Sequence, residues 1–188
     1  SATTAARSEK DLKRAEKWGL KALDTPECNP DTNAWIPYFL AKEVYMQQKN
    51  YKKMAKMLDR AEKRNSNQPL ESPFKMGDTS VETIGEGVNA LREQEWLKIY
   101  NKAIRLNETG KLEKAKKWIE VAMLIHPSRM ESYSTLAFWY METNDKEMAI
   151  NTIDRGLDVD DESSVLYQLK ADILLQNNPD INKMESAK

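Results

Sequence analysis

The stretch Gly110-Lys-Leu-Glu-Lys-Ala-Lys-Lys-Trp-Ile-Glu-Val-Ala-Met-Leu-Ile-His-Pro127 decides the fold. Its apolar and small residues follow the three- and four-residue steps of one helix face, at Leu112, Ala115, Ile119 and Ala122. Gly110 can form the turn before this helix, and Pro127 cannot continue it. The stretch therefore predicts one amphipathic helix with a defined start and end.

The same helix pattern returns further along the chain at a spacing of 34 residues. Ala149, Ile153 and Gly156 take the places of Ala115, Ile119 and Ala122. A companion pattern with this spacing leads from Ile99, Ala103 and Leu106 to Tyr133, Ala137 and Tyr140, then to Tyr167, Ala171 and Leu174. A helix–turn–helix unit repeated at this period is typical of helical solenoids. The spacing therefore predicts an all-α fold, an α-α superhelix built from helix pairs.

The composition narrows the class of protein. The chain has 188 residues and a formal net charge of −1, so no nucleic-acid partner is expected. Its single cysteine, Cys28, cannot form an intrachain disulfide. No apolar run approaches the ~20 residues of a membrane-spanning helix, so no transmembrane segment is expected.

The cellular compartment stays open at the level of sequence. The chain starts at Ser1 rather than at a methionine, as a trimmed or a processed mature form would. No hydrophobic signal core is present. A soluble protein of the cytoplasm and a processed lipoprotein of a bacterial envelope are both compatible with this start.

The helix patterns predict a single domain, residues 1–188, with about three full helix pairs and partial pairs at both ends. The first full pair spans residues 35–48 and 51–64, and its register is open by one residue, because either Lys42 or Ala41 can occupy the position of Ala103. An insertion, about residues 66–95, follows this pair, and its prolines and glycine predict a loop over residues 66–79.

Several short motifs predict helix ends. Thr79-Ser-Val-Glu82 and Ser128-Arg-Met-Glu131 match the capping box, in which a hydroxyl and a carboxylate satisfy backbone amides at a helix start. Asn177-Asn178-Pro179 predicts the end of the last helix. The single histidine, His126, precedes Pro127 at a helix end, where capping or solvent exposure is favoured over catalysis.

Two series of residues carry a family resemblance. The first helix of a pair has an aromatic, a leucine with a small residue, and a second aromatic, at Tyr133, Leu136-Ala137 and Tyr140. The second helix has small, bulky, small and proline positions, at Ala115, Ile119, Ala122 and Pro127. With these series the chain resembles the tetratricopeptide repeat family over about residues 10–65 and 96–178. The resemblance implies a superhelix whose concave side is lined by the first helix of each pair.

The resemblance also implies a partner-binding groove on that concave side. The candidate groove residues are Phe39, Glu43, Met46, Tyr100, Ile104, Asn107, Phe138, Met141, Gln168 and Asp172. This set is mainly apolar and aromatic. Family members that clamp the acidic tails of heat-shock chaperones use lysines, an arginine and asparagines at these places, so that type of clamp is absent here.

Each of these residue groups has a simpler interpretation beside the functional one. Phe39, Tyr100, Phe138 and Met141 either anchor a partner in the groove or pack against a neighbouring helix or the insertion. Core packing is favoured over a ligand cage for the tryptophans, Trp18, Trp35, Trp96, Trp118 and Trp139. The basic run from Lys49 to Arg64 either meets nucleic acid or anionic lipid or is a solvated face, and the solvated face is favoured because Asp59 and Glu62 interrupt it.

The function predicted from these observations is a non-enzymatic, protein-binding scaffold that captures a peptide or a partner helix. One histidine and one cysteine cannot assemble a soft-ligand metal site, and no phosphate loop or nucleophile motif is present. No cofactor, metal or catalytic residue is therefore expected. The alternative function is a structural one, in which the protein self-associates, for example as a homodimer, within a larger assembly.

Overall fold

A computed structural model describes residues 9–29 and 31–176. The chain forms two compact units, Ser1–Glu95 and Trp96–Lys188. Apart from one β-hairpin, the regular structure of the described residues is helical, as the repeat spacing predicts. The predicted helix end at Asn177-Asn178-Pro179 lies outside the described residues.

The first unit begins with three helical segments. Helix α1 spans Glu9–Leu23, and a short 3₁₀ turn follows at Pro26–Cys28. Helix α2 spans Trp35–Phe39 and continues as a π-helical segment, Leu40–Tyr45. Helix α3 spans Tyr51–Asn65 and starts at Asn50, whose side chain accepts a hydrogen bond from the backbone N–H of Lys53. The core of this unit contains the inward faces of all three segments, including Leu12, Leu40, Val44, Met54 and Leu58.

The π-helical segment settles the register of the first pair. Ala41 is completely buried and Lys42 only half-buried, so Ala41 occupies the small-residue position. The backbone N–H of Met46 donates to the carbonyl of Ala41, five residues back. A π-turn holds more residues than an α-turn, which moves the packing position by one residue relative to a regular helix. The one-residue ambiguity in the sequence pattern has this physical cause.

A β-hairpin stands where the sequence predicts a loop, and that prediction is wrong for most of residues 66–79. Strand β1 spans Pro69–Met76 and pairs antiparallel with β2, Thr79–Thr83. Gly77 forms the turn with a φ of 60°. The prolines fit because each strand of a two-stranded sheet is an edge strand and the register shifts between Pro69 and Phe74. The hairpin buries few side chains, so its sequence shows no alternating pattern.

The second unit contains the more regular repeats. Helix α4 spans Ile84–Glu108, beginning in the first unit and ending in the second. Helices α5 (Leu112–Ile125), α6 (Met130–Glu142), α7 (Lys146–Leu157) and α8 (Ser164–Gln176) follow. Helix α6 packs against α5, α7 and α8. Ala103, Ala115, Ala137 and Ala149 are all completely buried in one core, as the small-residue positions of the repeat require.

The turn inside each helix pair has the same backbone conformation. Lys49, Gly110 and Asn144 have positive φ values of 54°, 72° and 58°. This left-handed residue ends the first helix and lets the chain reverse into the second. Because these turns lie 61 and 34 residues apart in the chain, they keep the phase that the sequence pattern predicts for the three pairs.

The last repeat departs from the predicted register by one residue. The 34-residue spacing predicts that Tyr167, Ala171 and Leu174 are buried, but all three are exposed. Leu166 and Ile173 are completely buried in their place. Leu166 reaches into the space that Gly156 leaves open, beside Tyr133. The packing partner on α7 therefore determines the rotation of α8.

Neither predicted capping box forms. Thr79–Glu82 belongs to the hairpin, and α4 instead begins with a box one turn later, at Thr83 and Glu86. The Thr83 hydroxyl accepts from the Glu86 N–H, and a Glu86 carboxylate oxygen accepts from the Thr83 N–H at 3.0 Å. At the second predicted box, the residue preceding α6 is Arg129, without a side-chain cap. The Ser128 hydroxyl lies 3.1 Å from His126 Nδ1 instead.

Candidate functional site

A cleft lies between α6 and α8 in the second unit. Its volume is about 450 Å³. It is lined by Ser134, Thr135, Phe138, Val165, Gln168, Leu169 and Asp172. Three of the predicted groove residues, Phe138, Gln168 and Asp172, therefore meet in one site. The lining residues recur at three- and four-residue steps on both helices, so each helix presents one face to the cleft.

The lining of this cleft combines apolar and polar side chains. Phe138 is 50% exposed and Val165 is 55% exposed, so two large apolar side chains are open to solvent. Gln168 and Asp172 are also exposed, and neither side chain makes a hydrogen bond within the described part of the chain. An incoming apolar side chain would cover Phe138 and Val165. The backbone amides next to that side chain could then hydrogen-bond to the Gln168 carboxamide and the Asp172 carboxylate.

Three predicted groove residues contribute packing beside this cleft. Tyr100, Ile104 and Met141 are partly buried against the core of the second unit. The Tyr100 ring stacks on Trp96 at 5.0 Å between ring centroids. Its hydroxyl shares a hydrogen bond of 2.8 Å with Thr135, which lines the cleft. The Tyr100 ring therefore packs against a neighbouring aromatic residue, while its hydroxyl orients Thr135 in the cleft.

The first unit has a cleft of its own, between α2 with its π-helical continuation and strand β1. Its volume is about 340 Å³. It is lined by Trp35, Tyr38, Phe39, Lys42, Glu43, Leu70, Glu71 and Ser72. Phe39 and Glu43 are the predicted groove residues among them. Because the hairpin supplies Leu70, Glu71 and Ser72, the insertion forms one wall of this cleft.

Aromatic rings dominate the helical wall of the first-unit cleft. Trp35 and Phe39 stack at 5.0 Å between ring centroids. The Lys42 ammonium lies 5.8 Å from the Tyr38 ring centroid and 5.4 Å from that of Phe74, close enough for cation–π attraction. Burial raises the pKa of Tyr38 to about 12, and the nearby Glu43 carboxylate adds to the shift.

Met46 and Asn107 are half-buried and line neither cleft. A single continuous groove through all ten predicted residues stays a prediction, because each cleft is described within its own unit. Sequence reasoning missed the lining residues Ser134, Thr135, Val165 and Leu169, although they lie on the same helix faces as Phe138 and Gln168. It could not find Leu70, Glu71 and Ser72, because the insertion has no counterpart in the repeat.

The tryptophans divide between core and surface. Trp96 and Trp139 are buried, and the Trp96 indole N–H donates to the Ser132 hydroxyl at 2.8 Å. Trp18, in contrast, is 57% exposed. Among the described residues, no group of three or more His, Cys, Asp or Glu side chains is arranged to hold a metal ion. None of the described helices is both long and apolar enough to cross a membrane.

The helix pairs, their buried alanines and their left-handed turns repeat with the spacing of the sequence pattern. The fold is tetratricopeptide-like. No family model matches the sequence, and no curated protein matches it. Among solved structures, the chain is similar to YrrB, described as a TPR protein with an unusual peptide-binding site. That likeness covers 87% of this chain and 86% of the other, at 17% identity and a TM-score of 0.38.

Proposed function

We propose that this tetratricopeptide-like protein is a non-enzymatic scaffold that binds a short segment of a partner protein in the cleft between α6 and α8. The observation that supports the proposal is the pair of solvent-exposed apolar side chains, Phe138 and Val165, in a cleft that polar side chains also line. Recognition sites for peptides combine such apolar pockets with a few polar groups that fix orientation.

The affinity that this cleft can supply is moderate. Burying one apolar side chain contributes roughly 1.5–3 kcal/mol. Two or three anchored side chains give about 3–9 kcal/mol before the cost of ordering the peptide is subtracted. This corresponds to a dissociation constant on the order of 10 μM to 1 mM. Such affinities suit a scaffold that binds and releases its partner. The first-unit cleft, with its aromatic wall and hairpin, is a second place where a segment of the partner could bind, and the hairpin would then control access to it.

The test is a selection from a displayed random-peptide library, followed by binding measurements on the selected peptides. We expect the peptides to share an apolar residue and to bind with dissociation constants on the order of 10 μM to 1 mM. The double variant Phe138→Glu, Val165→Glu should abolish binding, since a bound peptide would force the new carboxylates out of water. Both positions are exposed, so the melting temperature should change little.

The matched control is Leu124→Glu. Leu124 is likewise an exposed apolar residue of the second unit, but it lies on α5 and outside the cleft. We expect this control to keep the wild-type affinity. Selected peptides that bind the double variant as tightly as the wild type would reject the α6–α8 cleft as the binding site. Equal losses in both variants would show a nonspecific effect of added charge and would also reject it.

Self-association is a second candidate function, favoured by the surface of α8. Tyr167 and Leu174 are each 53% exposed and lie two turns apart on one face of this helix. A second copy of the chain would bury this face. If it does, light scattering should give twice the chain mass, and Leu174→Glu should restore the monomer. A monomeric wild type across micromolar concentrations would reject this candidate and leave the peptide-binding proposal untouched.

A further inference from the structure

Positive charge is concentrated on two helices of the first unit. Helices α1 and α3 together carry eleven Lys and Arg residues and five Asp and Glu residues, although the whole chain has a net charge of −1. An ion pair joins the two helices, since Lys53 Nζ lies 2.7 Å from a Glu16 carboxylate oxygen. The Gln48 side chain donates to the other oxygen of Glu16. The solvent-facing sides of α1 and α3 are therefore neighbours within this unit.

Four of the five carboxylates on these helices lie in ion pairs. Asp59 and Glu62, which interrupt the basic run in the sequence, both face the buried Arg92 of α4. The Arg92 guanidinium lies 2.5 Å from Asp59 Oδ1 and 3.6 Å from Glu62 Oε2. Glu9 pairs with Lys13, and Glu16 pairs with Lys53. Asp59 and Glu62, which favoured a solvated face in the sequence analysis, are thus paired with Arg92 rather than with the lysines and arginines of α3.

The remaining basic side chains lack such partners. Within the described residues, no ion pair is made by Lys10, Arg14, Lys17, Lys21, Lys49, Lys52, Lys56, Arg60 or Lys63. We call the surface formed by these nine side chains the cationic face. Like charges that crowd a surface without partners destabilise it modestly. A polyanion bound at this face would relieve that repulsion.

An exposed tryptophan lies on α1 beside the basic residues of the cationic face. Trp18 is four residues from Arg14 and three from Lys21, so the three share one side of the helix. Its side chain is 57% exposed, and the Lys21 ammonium lies 5.2 Å from the ring centroid. Clusters of Lys and Arg are attracted to anionic leaflets, and tryptophan is enriched at the membrane–water interface.

We propose that the cationic face binds anionic lipid headgroups at a membrane surface, with Trp18 at the level of the headgroups. Tryptophan prefers this level because its ring is apolar and its N–H is polar. Proteins that hold single-stranded nucleic acid use several aromatic platforms, whereas the cationic face has one exposed aromatic ring among its described residues. These observations favour the lipid surface over nucleic acid.

The test is co-sedimentation of the full chain with vesicles of phosphatidylcholine alone and of phosphatidylcholine with about one-third phosphatidylserine. We expect binding to the anionic vesicles only, weakened as salt is raised. Each basic residue near an anionic leaflet contributes about fivefold to the partition coefficient. The double variant Lys17→Glu, Lys56→Glu should therefore lower partitioning by at least about 25-fold.

Lys114→Glu, Lys117→Glu on α5 is the matched control, because these lysines are also exposed and also make no ion pair among the described residues. This control should bind like the wild type. Trp18→Phe should remove the shift to shorter wavelength in tryptophan emission that vesicle binding produces. Absence of binding to anionic vesicles, or an equal loss in the control, would overturn the proposal. Tighter binding to a single- or double-stranded oligonucleotide than to anionic vesicles at the same salt would also overturn it.

Discussion

At the residue scale, Gly156 of α7 leaves little room for a side chain between Leu166 of α8 and Tyr133 of α6. A Cβ at this position would lie 2.4 Å from Leu166 Cδ1 and 3.1 Å from both Cβ and Cγ of Tyr133. The leucine methyl can move, but the Cβ and ring base of a buried tyrosine cannot move without shifting α6. Two effects therefore oppose each other at this position. Packing favours glycine, whereas helix propensity favours alanine, because glycine is a poor helix former and alanine a good one.

We predict that Gly156→Ala destabilises the protein by roughly 1–3 kcal/mol, the usual cost of overpacking a core. Helix propensity alone predicts the opposite sign, a gain of about 1 kcal/mol. The control is Asn151→Ala, an exposed position of the same helix α7 where only propensity acts. Urea denaturation measures both variants. A stabilised Gly156→Ala variant would show that α8 does not pack as described.

A second residue-scale prediction concerns alkaline pH. Burial raises the pKa of both Tyr38 and Tyr45 to about 12, with Glu43 and Glu16 respectively adding to the effect. Unfolded tyrosines ionise near pH 10. Between these values the folded state holds protons that the unfolded state has lost, so the free energy of unfolding falls as pH rises from about 10 to about 12.

Urea denaturation between pH 9 and 11 should show this decline. Tyr38→Phe should make it shallower, because phenylalanine has no proton to lose. Equal slopes for Tyr38→Phe and the wild type would contradict the burial of the Tyr38 hydroxyl.

At the element scale, the start of α4 distinguishes the predicted cap from the observed one. Thr83 and Glu86 exchange hydrogen bonds with each other's backbone N–H. The backbone N–H of Glu82, together with that of Thr83, holds the pKa of Glu86 below its usual value. We predict that Thr83→Ala destabilises the protein by about 0.5–2 kcal/mol. Thr79→Ala, which removes the hydroxyl of the box predicted from sequence, should be nearly neutral. Thermal denaturation compares the two, and the reverse order would contradict the observed cap.

The elements also show which features the sequence can predict. Helices α5 and α7 follow from the pattern of small and bulky residues around Ala115 and Ala149, because each small residue marks a close helix crossing. The π-helical segment does not follow, since the same residues fit a regular helix shifted by one position. The orientation of α8 also escapes the pattern, because it depends on the cavity at Gly156 in another helix. Local periodicity predicts an element, while packing partners determine its rotation.

At the scale of the whole molecule, the sequence pattern predicts a single domain, whereas the structure divides into two compact units. We still propose that these two units behave as one domain. Helix α4 runs from Ile84 to Glu108 without interruption and contributes residues to both units. In helical repeats, neighbouring pairs stabilise each other through their interfaces. We therefore predict one cooperative unfolding transition in calorimetry, with equal calorimetric and van't Hoff enthalpies. Two resolved transitions would show that the units fold independently.

The candidate site illustrates the same limit at this scale. Phe138, Gln168 and Asp172 could be placed in one site from the repeat, since equivalent positions of successive first helices line up. Glu71 and Ser72 could not, because a hairpin seen once in the chain has no equivalent to compare it with. The pairing of Asp59 and Glu62 with Arg92 was also hidden, because the partners are about thirty residues apart in the chain and belong to different helices.

The base of the β-hairpin has a practical consequence for protein engineering. The backbone N–H of Ile84 donates to the carbonyl of Gln68, and that of Gly85 to the carbonyl of Ser66, both at 2.8 Å. The chain thus returns to the point where it left α3, while nothing lies within 4 Å of a Cβ built at the turn residue Gly77. The turn at Gly77-Asp78 is therefore a permissive position for a foreign sequence. An affinity tag or a small fluorescent domain inserted there should leave the helical repeats folded. The protein could then be purified or detected through an internal label.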